Sequence, residues 1–267
     1  MKRSSRARIA ATATVSVLSL ALITGCGGDS DDAKDSSKDS SSSPTTAAKA
    51  YSAAELKKLI IAQSDVDGYE VKAVPNTYPA AKSAIKGDEQ CKPLVYVFSG
   101  LAPGDATAET NTMATSRAKP SDTPSKSLED LTEEEIDEAT TASMSLPVTV
   151  VSLSSYEGDG AARTMKAVSD AVESCASGFT AGAGGDEQKF TEVAAEKASG
   201  TGDESVAYSA GGDLFGASGK PAAVHGEVVR HGNTIATYYT MNLGAMMSGK
   251  AYDIPAALID AQAAKLK

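Results

Sequence analysis

The residues of this 267-residue chain with the most specific chemistry are three cysteines and two histidines. A thiol can carry a lipid, pair in a disulfide or bind a metal, and an imidazole can complete a zinc site. Which of these applies depends on the sequence around each residue. Cys26 differs from the others because it follows an apolar run and precedes a Ser-rich stretch, whereas Cys91 and Cys175 lie far downstream.

The context of Cys26 resembles the lipobox of bacterial lipoproteins. The five residues that end at Cys26 are Leu-Ile-Thr-Gly-Cys, and four Lys or Arg side chains precede an apolar run from Ile9 to Ile23. A basic start and a short apolar core are typical of a secretory signal, and this run is shorter than the ~20 residues of a membrane-spanning helix. The resemblance implies that residues 1–25 are a signal peptide cut between Gly25 and Cys26, and that a diacylglycerol is attached to the Cys26 thiol. The alternative is a plain secretory signal in which this cysteine has no special role.

The segment after Cys26 has the composition of a tether. Residues 27–50 contain Gly, Asp, Ser, Lys, Thr and Ala, one Pro and no large apolar side chain. Such a segment cannot bury enough apolar surface to offset the entropy of ordering the chain. We therefore expect residues 26–50 to form a lipidated, disordered tether, with a glycosylated Ser/Thr-rich stalk around Pro44 as the alternative. The folded domain would then be residues 51–267.

The net charge argues against nucleic acid as a partner. The full chain carries −10, and residues 1–25 contain four of its 25 basic residues and none of its 35 acidic ones. A chain cut before Cys26 therefore has 21 basic and 35 acidic side chains and a net charge of −14. Such a surface repels phosphate backbones. The absence of Trp also argues against a polysaccharide-binding face built on aromatic stacking.

Cys91 and Cys175 form an even pair in a chain that the signal would export. In an oxidising compartment such a pair predicts a disulfide, which would close a long loop and stabilise the fold by roughly 4 kcal/mol. A metal or redox pair is the alternative, although the sequence has no CxxC motif and no histidine near either cysteine. Cys175 could also be only a small core residue.

Motifs of catalysis and phosphate binding are absent from the sequence or incomplete. The nucleophile elbow G-x-S-x-G does not occur, and Ser83–Lys86 fits the S-x-x-K motif of penicillin-binding enzymes without its Lys-Thr-Gly and Ser-Asp-Asn companions. Gly212–Pro221 departs from a P-loop because Leu214 replaces its first glycine, and we interpret it as a turn between strands. Ser127–Glu138 holds seven acidic side chains without calcium-loop spacing, which indicates a solvated helix face rather than a cation site. No catalytic residue is therefore expected.

His225 and His231 are expected to be ordinary strand or hairpin residues. A zinc site needs two or three such ligands in a defined array, and neither histidine has an acidic partner at metal spacing along the sequence. We therefore expect no metal and no cofactor. Met241, Met246 and Met247 could face a soft apolar groove, but core packing beside the last helix is the preferred interpretation.

Three helices are predicted from capping residues and apolar spacing. Ser52 and Glu55 match a capping box at the start of the first helix. A second helix, capped by Asp159, should bury one stripe that ends at Cys175, and Asp253 should cap a final helix. The buried stripe consists of Ala161, Met165, Val168, Val172 and Cys175.

Strands are predicted where β-branched or alternating apolar residues recur. Pro147 indicates that the strand containing it lies at an edge or is bulged, and His231–Asn233 has the composition of a hairpin turn. Tyr238 and Tyr239 point to opposite faces of a strand, so only one of them is expected in the core. The predicted strands are residues 69–74, 144–153, 190–196, 205–210, 223–230 and 234–242.

The fold class that follows is α+β: a single domain with a mostly antiparallel sheet flanked by helices. Runs of strands without strict β-α-β alternation favour this class, and we expect the sheet to be covered on one side. Residues 91–98 are of ambiguous type, and residues 99–126 offer too few apolar anchors for an assignment. The length does not require a second domain.

Several short segments, in their order along residues 52–267, carry a resemblance to a known family. They are Asp65–Tyr69, Cys91–Leu94, Val151–Tyr156, Cys175–Phe179, Gly202–Ser205 and Val228–Ile235. In this order they resemble the extracellular sensor-like domain of actinobacterial receptor Ser/Thr kinases of the PknH type, which also occurs on stand-alone lipoproteins. The resemblance implies an antiparallel sheet packed with helices around an open cleft for an unidentified ligand. It implies no catalytic residues, and of the two disulfides common in the family this chain has cysteines for one.

These observations predict a non-enzymatic, lipid-anchored protein on the extracytoplasmic face of the cell membrane. We expect a monomer that binds a small ligand or an envelope protein, and any signalling would pass through that partner. One alternative is a carrier of lipid or another apolar molecule, which would need a sizeable cavity. Another is a cell-envelope hydrolase, which would need clustered titratable groups in a cleft.

Overall fold

One antiparallel sheet determines the architecture of the domain. The computed structural model describes residues 49–79, 81–117, 132–133, 135–136, 140, 144–183, 186–212, 214 and 222–267. The strands are β1 Tyr69–Lys72, β2 Ile85–Gly87, β3 Ala108–Ser116, β4 Val148–Ser155, β5 Phe179–Ala183, β6 Asp186–Glu196, β7 Glu204–Gly212, β8 Ala222–His231 and β9 Thr234–Met241. Within the described ranges these nine strands form a single sheet, in the order β1-β3-β4-β9-β8-β7-β6-β5-β2, and all neighbours run antiparallel.

Helices cover the sheet from both sides. They are α1 Ala53–Leu59, α2 Lys92–Phe98, α3 Gly160–Ser174, α4 Leu243–Ser248 and α5 Ala256–Lys265. Apolar side chains of α1 and α5 join one buried cluster, and those of α2 and α3 join another. Because each cluster takes alternate residues of the same strands, the sheet has an α1–α5 face and an α2–α3 face.

The central strands are buried on both of these faces. Seven consecutive residues of β4 and seven of β9 are buried, where a strand with one solvated face would alternate. Tyr238 is fully buried on the α1–α5 face, and Tyr239 is 7% exposed on the α2–α3 face. The expectation of a sheet covered on one side, with one core tyrosine, was therefore wrong. The physical reason is that helices from distant parts of the chain pack on opposite faces of the same strands.

The predicted α+β class and several of its elements are confirmed. Glu55 Oε2 accepts a hydrogen bond from Ser52 N at 2.8 Å, and Ser52 Oγ accepts one from Glu55 N at 3.4 Å, which completes the capping box of α1. The predicted stripe of α3 is buried and ends at Cys175. The last four strands form the predicted meander, and a two-residue turn with Gly232 at φ +60° joins β8 to β9.

Other predictions need correction. Residues 91–98, left open above, contain α2, and β3 lies within the unassigned stretch 99–126. β4 is a central strand rather than an edge strand, because it begins just after Pro147 and so loses no ladder hydrogen bond to the proline. Asp253 does not cap α5, whose N-cap residue is Pro255. Ser127–Glu138 and Gly212–Pro221 lie mostly outside the described residues.

A disulfide joins the start of α2 to the end of α3. Cys91 is the N-cap residue of α2, Cys175 is the C-cap residue of α3, and their Cα atoms are 6.0 Å apart. Both residues are buried, with at most 1% of their surface exposed. The predicted pairing is therefore present, and it holds one end of α2 against α3 on the α2–α3 face.

The other end of α2 is attached to the sheet through Gly100. Its carbonyl oxygen accepts hydrogen bonds from Asn111 Nδ2 at 2.9 Å and from Ser152 Oγ at 3.0 Å. The glycine has φ +69°, and a Cβ atom there would lie 2.9 Å from Val150 Cγ1. Glycine is thus required both by the backbone conformation and by the close approach. The short helix α2 is fixed at both ends.

Gln262 connects the first and the last helix on the α1–α5 face. Its side chain is fully buried, Oε1 accepts a hydrogen bond from Ile61 N at 2.9 Å, and Nε2 donates one to Leu59 O at 2.9 Å. These backbone groups follow or end α1, so they lack partners in the helix itself. The amide of Gln262 therefore satisfies them where α5 excludes water.

Removal of the disulfide should lower the stability of the domain substantially. The bond closes a loop with a sequence separation of 84 residues, for which loop-closure entropy gives about 4 kcal/mol. We expect the double variant Cys91→Ala/Cys175→Ala to lose about that amount in urea unfolding followed by circular dichroism. Wild type in dithiothreitol is the control, and an unchanged unfolding midpoint in the variant would contradict the prediction.

Substitution of Gln262 by Leu should also destabilise the domain. The change leaves the buried N–H of Ile61 and the part-buried C=O of Leu59 without these partners, and an unsatisfied buried group costs about 1–3 kcal/mol. Gln63 offers a matched control, because its amide makes the same kind of pair, accepting from Val71 N and donating to Tyr69 O, in an exposed position. Urea unfolding should show a much smaller loss for Gln63→Leu, since water can replace its bonds. Equal losses in the two variants would refute the role assigned to Gln262.

Candidate functional site

An open groove of about 380 Å³ lies on the α2–α3 face, between α2, the segment before β2 and strands β5, β6 and β9. We call it the apolar groove. Aliphatic and aromatic groups form most of its surface, and the described lining residues include no Asp, Glu, Lys, Arg or His. The lining consists of Thr77, Tyr78, Pro79, Ile85, Val95, Phe98, Ser99, Ala181, Gly182, Ala183, Gln188, Phe190, Tyr239 and Met241.

Phe98, at the C-terminal end of α2, is the centre of the aromatic part of the groove. Its ring centroid lies 5.7 Å from that of Phe190, 5.5 Å from that of Tyr208 and 5.4 Å from that of Tyr239. The Phe190 ring also stacks on Phe179 at 4.7 Å. Pairs at these distances stabilise one another beyond their burial, so the aromatic surface is held in a fixed shape.

The segment before β2 forms one wall of the groove and is attached to the rest of the domain. Tyr78 N donates to Pro75 O at 3.0 Å within a turn. Lys82 Nζ donates to Gly104 O and lies 4.8 Å from the centroid of the Tyr96 ring, a cation–π distance. Burial lowers the pKa of Lys82, although Asp105 and Glu109 act in the opposite direction. The chain then enters β2, which pairs with β5.

Two tyrosines supply hydroxyl groups to the groove. Tyr239 Oη donates to Met241 Sδ at 3.7 Å, and burial raises the pKa of Tyr239, with smaller contributions from the Tyr78 and Tyr252 phenols. Burial likewise raises the pKa of Tyr78. Both hydroxyls therefore stay protonated around neutral pH and can donate hydrogen bonds.

A second, more polar depression of about 650 Å³ lies beside α5. It is lined by Thr201, Gly202, Asp203, His231, Gly232, Asp260, Ala263, Leu266 and Lys267. Burial lowers the pKa of His231, and the Asp203 carboxylate opposes this shift. Its described lining includes no Phe or Tyr and only two aliphatic side chains, Ala263 and Leu266. Small-molecule sites are lined mainly by hydrophobic and aromatic side chains, so the apolar groove is the better candidate.

His225 has a carboxylate partner that lies far from it in the sequence. Its Nδ1 is 2.9 Å from Glu196 Oε2, its ring meets that of Tyr252 edge-on at 4.5 Å, and its side chain is 13% exposed. Burial would raise the pKa of Glu196, but hydrogen bonds and charge from His225, with a bond from Ser209, lower it on balance. We expected an ordinary strand histidine and did not predict this contact from the sequence. Glu196 is on β6 and His225 is on β8, and β7 lies between these strands in the sheet.

Two candidate groups lie within the described residues: Ser83 with Lys86 for catalysis, and His225 with His231 for metal binding. Neither group is assembled into a site. Ser83 and Lys86 are both exposed, Ser83 in a 3₁₀ turn and Lys86 on β2. Within the described ranges no group of three or more His, Cys, Asp or Glu side chains could hold a metal ion. His225 and His231 lie on the same face of β8, but six residues of an extended strand separate them by about 20 Å. They are therefore too far apart to form a shared ligand set.

The methionines divide among three environments. Met246 is buried in the core of the α2–α3 face, Met241 lines the apolar groove, and Met247 is 50% exposed. The expectation that all three pack in the core is therefore right for Met246 and wrong for Met247, while the alternative of a soft groove applies to Met241. Gly25 and Cys26, the predicted cleavage and lipidation site, lie outside the described residues.

Comparisons with known proteins give a similarity of structure but none of sequence. No known protein-family profile and no curated protein sequence match the chain. The structure is similar to the crystal structure of the extracellular domain of PknH from Mycobacterium tuberculosis, with a TM-score of 0.45 and 10% sequence identity over 82% of this chain and 95% of that one. Membership of the sensor-domain family remains a prediction. None of the helices in the described ranges combines the length and apolar character needed to cross a bilayer.

Proposed function

We propose that this chain is a lipoprotein, anchored by a lipid on Cys26 at the extracytoplasmic face of the cell membrane, whose domain binds a small and largely apolar ligand. The observation that carries the binding proposal is the apolar groove on the α2–α3 face. The anchoring proposal is carried by the sequence that ends at Cys26 and by the polar composition of residues 27–50. The disulfide between Cys91 and Cys175 is compatible with an oxidising compartment.

The size and lining of the groove favour one small molecule. Small-molecule sites enclose roughly 300–1,000 Å³ and are lined mainly by hydrophobic and aromatic side chains with a few polar groups. The groove has about 380 Å³ and this kind of lining. A volume near the lower limit of that range suits a compact ligand and argues against a carrier of a lipid with two acyl chains.

The groove is formed before any ligand arrives. The disulfide and the Gly100 carbonyl fix α2, and the Lys82 contacts fix the opposite wall. A ligand therefore does not have to order these segments, and the entropy cost of binding is smaller than at a flexible site.

The chemistry of the groove supports binding rather than hydrolysis. General acid–base catalysis needs a titratable group near the reacting bond. Among the described lining residues the titratable groups are the phenols of Tyr78 and Tyr239, whose pKa values are raised by burial. We therefore propose a non-enzymatic binding role and do not favour a cell-envelope hydrolase.

Filling the groove should weaken ligand binding without unfolding the domain. Ala183 lines the groove at the end of β5, whereas Thr180 is exposed on the same strand and is absent from the described lining. We expect Ala183→Leu to reduce the affinity for the neutral fluorophore N-phenyl-1-naphthylamine at least tenfold in a fluorescence titration, because the added carbons occupy ligand space. Thr180→Leu is the matched control and should bind as wild type does.

Absence of saturable binding by wild type would overturn the groove as a binding site. Equal affinities of the Ala183→Leu and Thr180→Leu variants would place the bound fluorophore elsewhere. Native mass spectrometry of residues 51–267 beside a denatured sample adds a probe-free measurement, in which a mass lost on denaturation identifies a ligand bound during production.

Lipidation should depend on the single thiol at position 26. We expect the wild-type chain, produced in a bacterium fed an alkyne fatty acid, to take up the label, and Cys26→Ala to take up none. The Cys91→Ala/Cys175→Ala variant should keep the label, which controls for acylation of other thiols. Labelling of the Cys26→Ala variant would refute the proposed anchor.

A further inference from the structure

We propose that the ligand of the apolar groove has a flat, uncharged ring system and one carbonyl-type oxygen that accepts a hydrogen bond from the Tyr239 hydroxyl. This inference rests on the proposed function, because it assigns a ligand class to the same groove. It is carried by the partner of the Tyr239 hydroxyl, by the aromatic surface around Phe98 and by the absence of charged side chains from the described lining of the groove.

The Tyr239 hydroxyl has a poor acceptor. The residue is 7% exposed, and its Oη donates to Met241 Sδ at 3.7 Å. A thioether sulfur is a weak acceptor, so this strong donor gains little from its partner within the protein. Both residues line the groove. An oxygen acceptor brought in by a ligand would therefore replace the weak bond with a stronger one.

Two other tyrosines of the domain donate their hydroxyl hydrogen to a backbone carbonyl oxygen. Tyr252 Oη donates to Ala223 O at 2.5 Å, and Tyr208 Oη donates to Leu94 O at 3.5 Å. In both cases a backbone carbonyl accepts the bond, and neither tyrosine is among the described lining residues of the groove. A carbonyl oxygen on the ligand would supply to Tyr239 the kind of acceptor that the fold supplies to these two.

The shape and charge of the lining select the rest of the ligand. Phe98 and Phe190 are stacked with an interplanar angle of 28°, and together with Tyr239 they offer a broad aromatic surface. A flat ring gains both dispersion and favourable quadrupole contacts on such a surface. A carboxylate or ammonium group would lose its hydration there without a counter-charge in the described lining.

Two naphthalenes of the same shape test the acceptor. 2-Acetylnaphthalene carries a C=O group where 2-isopropenylnaphthalene carries C=CH₂, so the pair differs mainly in the acceptor. Each is titrated against bound N-phenyl-1-naphthylamine, and the ratio of the two affinities is measured in wild type and in Tyr239→Phe. We expect the preference for the ketone to fall roughly 3- to 10-fold in the variant, the range for loss of one hydrogen bond.

Tyr238→Phe is the matched control. Its hydroxyl is also buried and has no hydrogen-bond partner in the described part of the chain, but it lies on the α1–α5 face. The affinity ratio should be unchanged in this variant. A ratio that is unchanged in Tyr239→Phe, or that falls instead in Tyr78→Phe, would overturn the assignment to Tyr239.

A measurement on wild type keeps the test decisive if the Tyr239→Phe variant fails to fold. The infrared C=O stretch of bound ¹³C-carbonyl-labelled 2-acetylnaphthalene should lie below its value in hexane, as expected for a hydrogen-bonded ketone. A stretch at the hexane value would refute the hydrogen bond. If wild type binds neither naphthalene nor the fluorophore, the proposed binding function fails, whereas binding without a carbonyl preference defeats this inference alone.

Discussion

The constraint on which the structure depends is the burial of the central strands on both faces. β4 and β9 each present buried side chains alternately to two helical layers, as Tyr238 and Tyr239 show on adjacent positions. An antiparallel sheet more commonly leaves one face in water. Here the chain must supply a helix pair to each face, and it takes α1 and α5 from its two ends for one face and α2 and α3 from its middle for the other.

The groove exists because the helical layer on the α2–α3 face is incomplete. α2 is only seven residues long, and the groove lies between it and the strands β5, β6 and β9. A short helix has little stability of its own, since its nucleation is costly and it makes few internal hydrogen bonds. The disulfide at one end and the Gly100 carbonyl at the other compensate for this, and they fix Phe98 where it forms the aromatic surface of the groove.

Local patterns in the sequence predicted those parts of the fold that are specified locally. The capping box at Ser52, the stripe that ends at Cys175 and the turn at Gly232 each lie within one segment, and each was found. β3 was missed because its residues are mostly small or polar, and its pairing with β1 and β4 decides its conformation. The role of the fully buried Gln262 was not predicted, because its partners Ile61 and Leu59 lie 201 and 203 positions earlier in the sequence.

Most of the candidate site could not be predicted from the sequence either, because it is formed by segments that are far apart along the chain. Its lining comes from α2, from β5, β6 and β9 and from the segment before β2, and no single segment carries a motif. Met241 was the one lining residue considered for a groove. The disulfide was predicted correctly, because an exported chain with two remaining cysteines favours their pairing. The contact of His225 with Glu196 could not be predicted, since the two residues are 29 positions apart on strands that are not neighbours.

The link between α1 and α5 also bears on the order in which the domain forms during synthesis. Gln262 lies 201 positions after Ile61, whose N–H it binds, so the α1–α5 layer cannot be completed until those further residues have been synthesised. Until then the sheet face that carries Val151, Leu153 and Tyr238 lacks its contacts with Leu258 and Ile259 of α5. A partly synthesised chain would expose this apolar face to solvent. Chaperones bind exposed apolar surfaces of this kind, which otherwise tend to aggregate. Helix α5 is therefore the element that completes the α1–α5 layer.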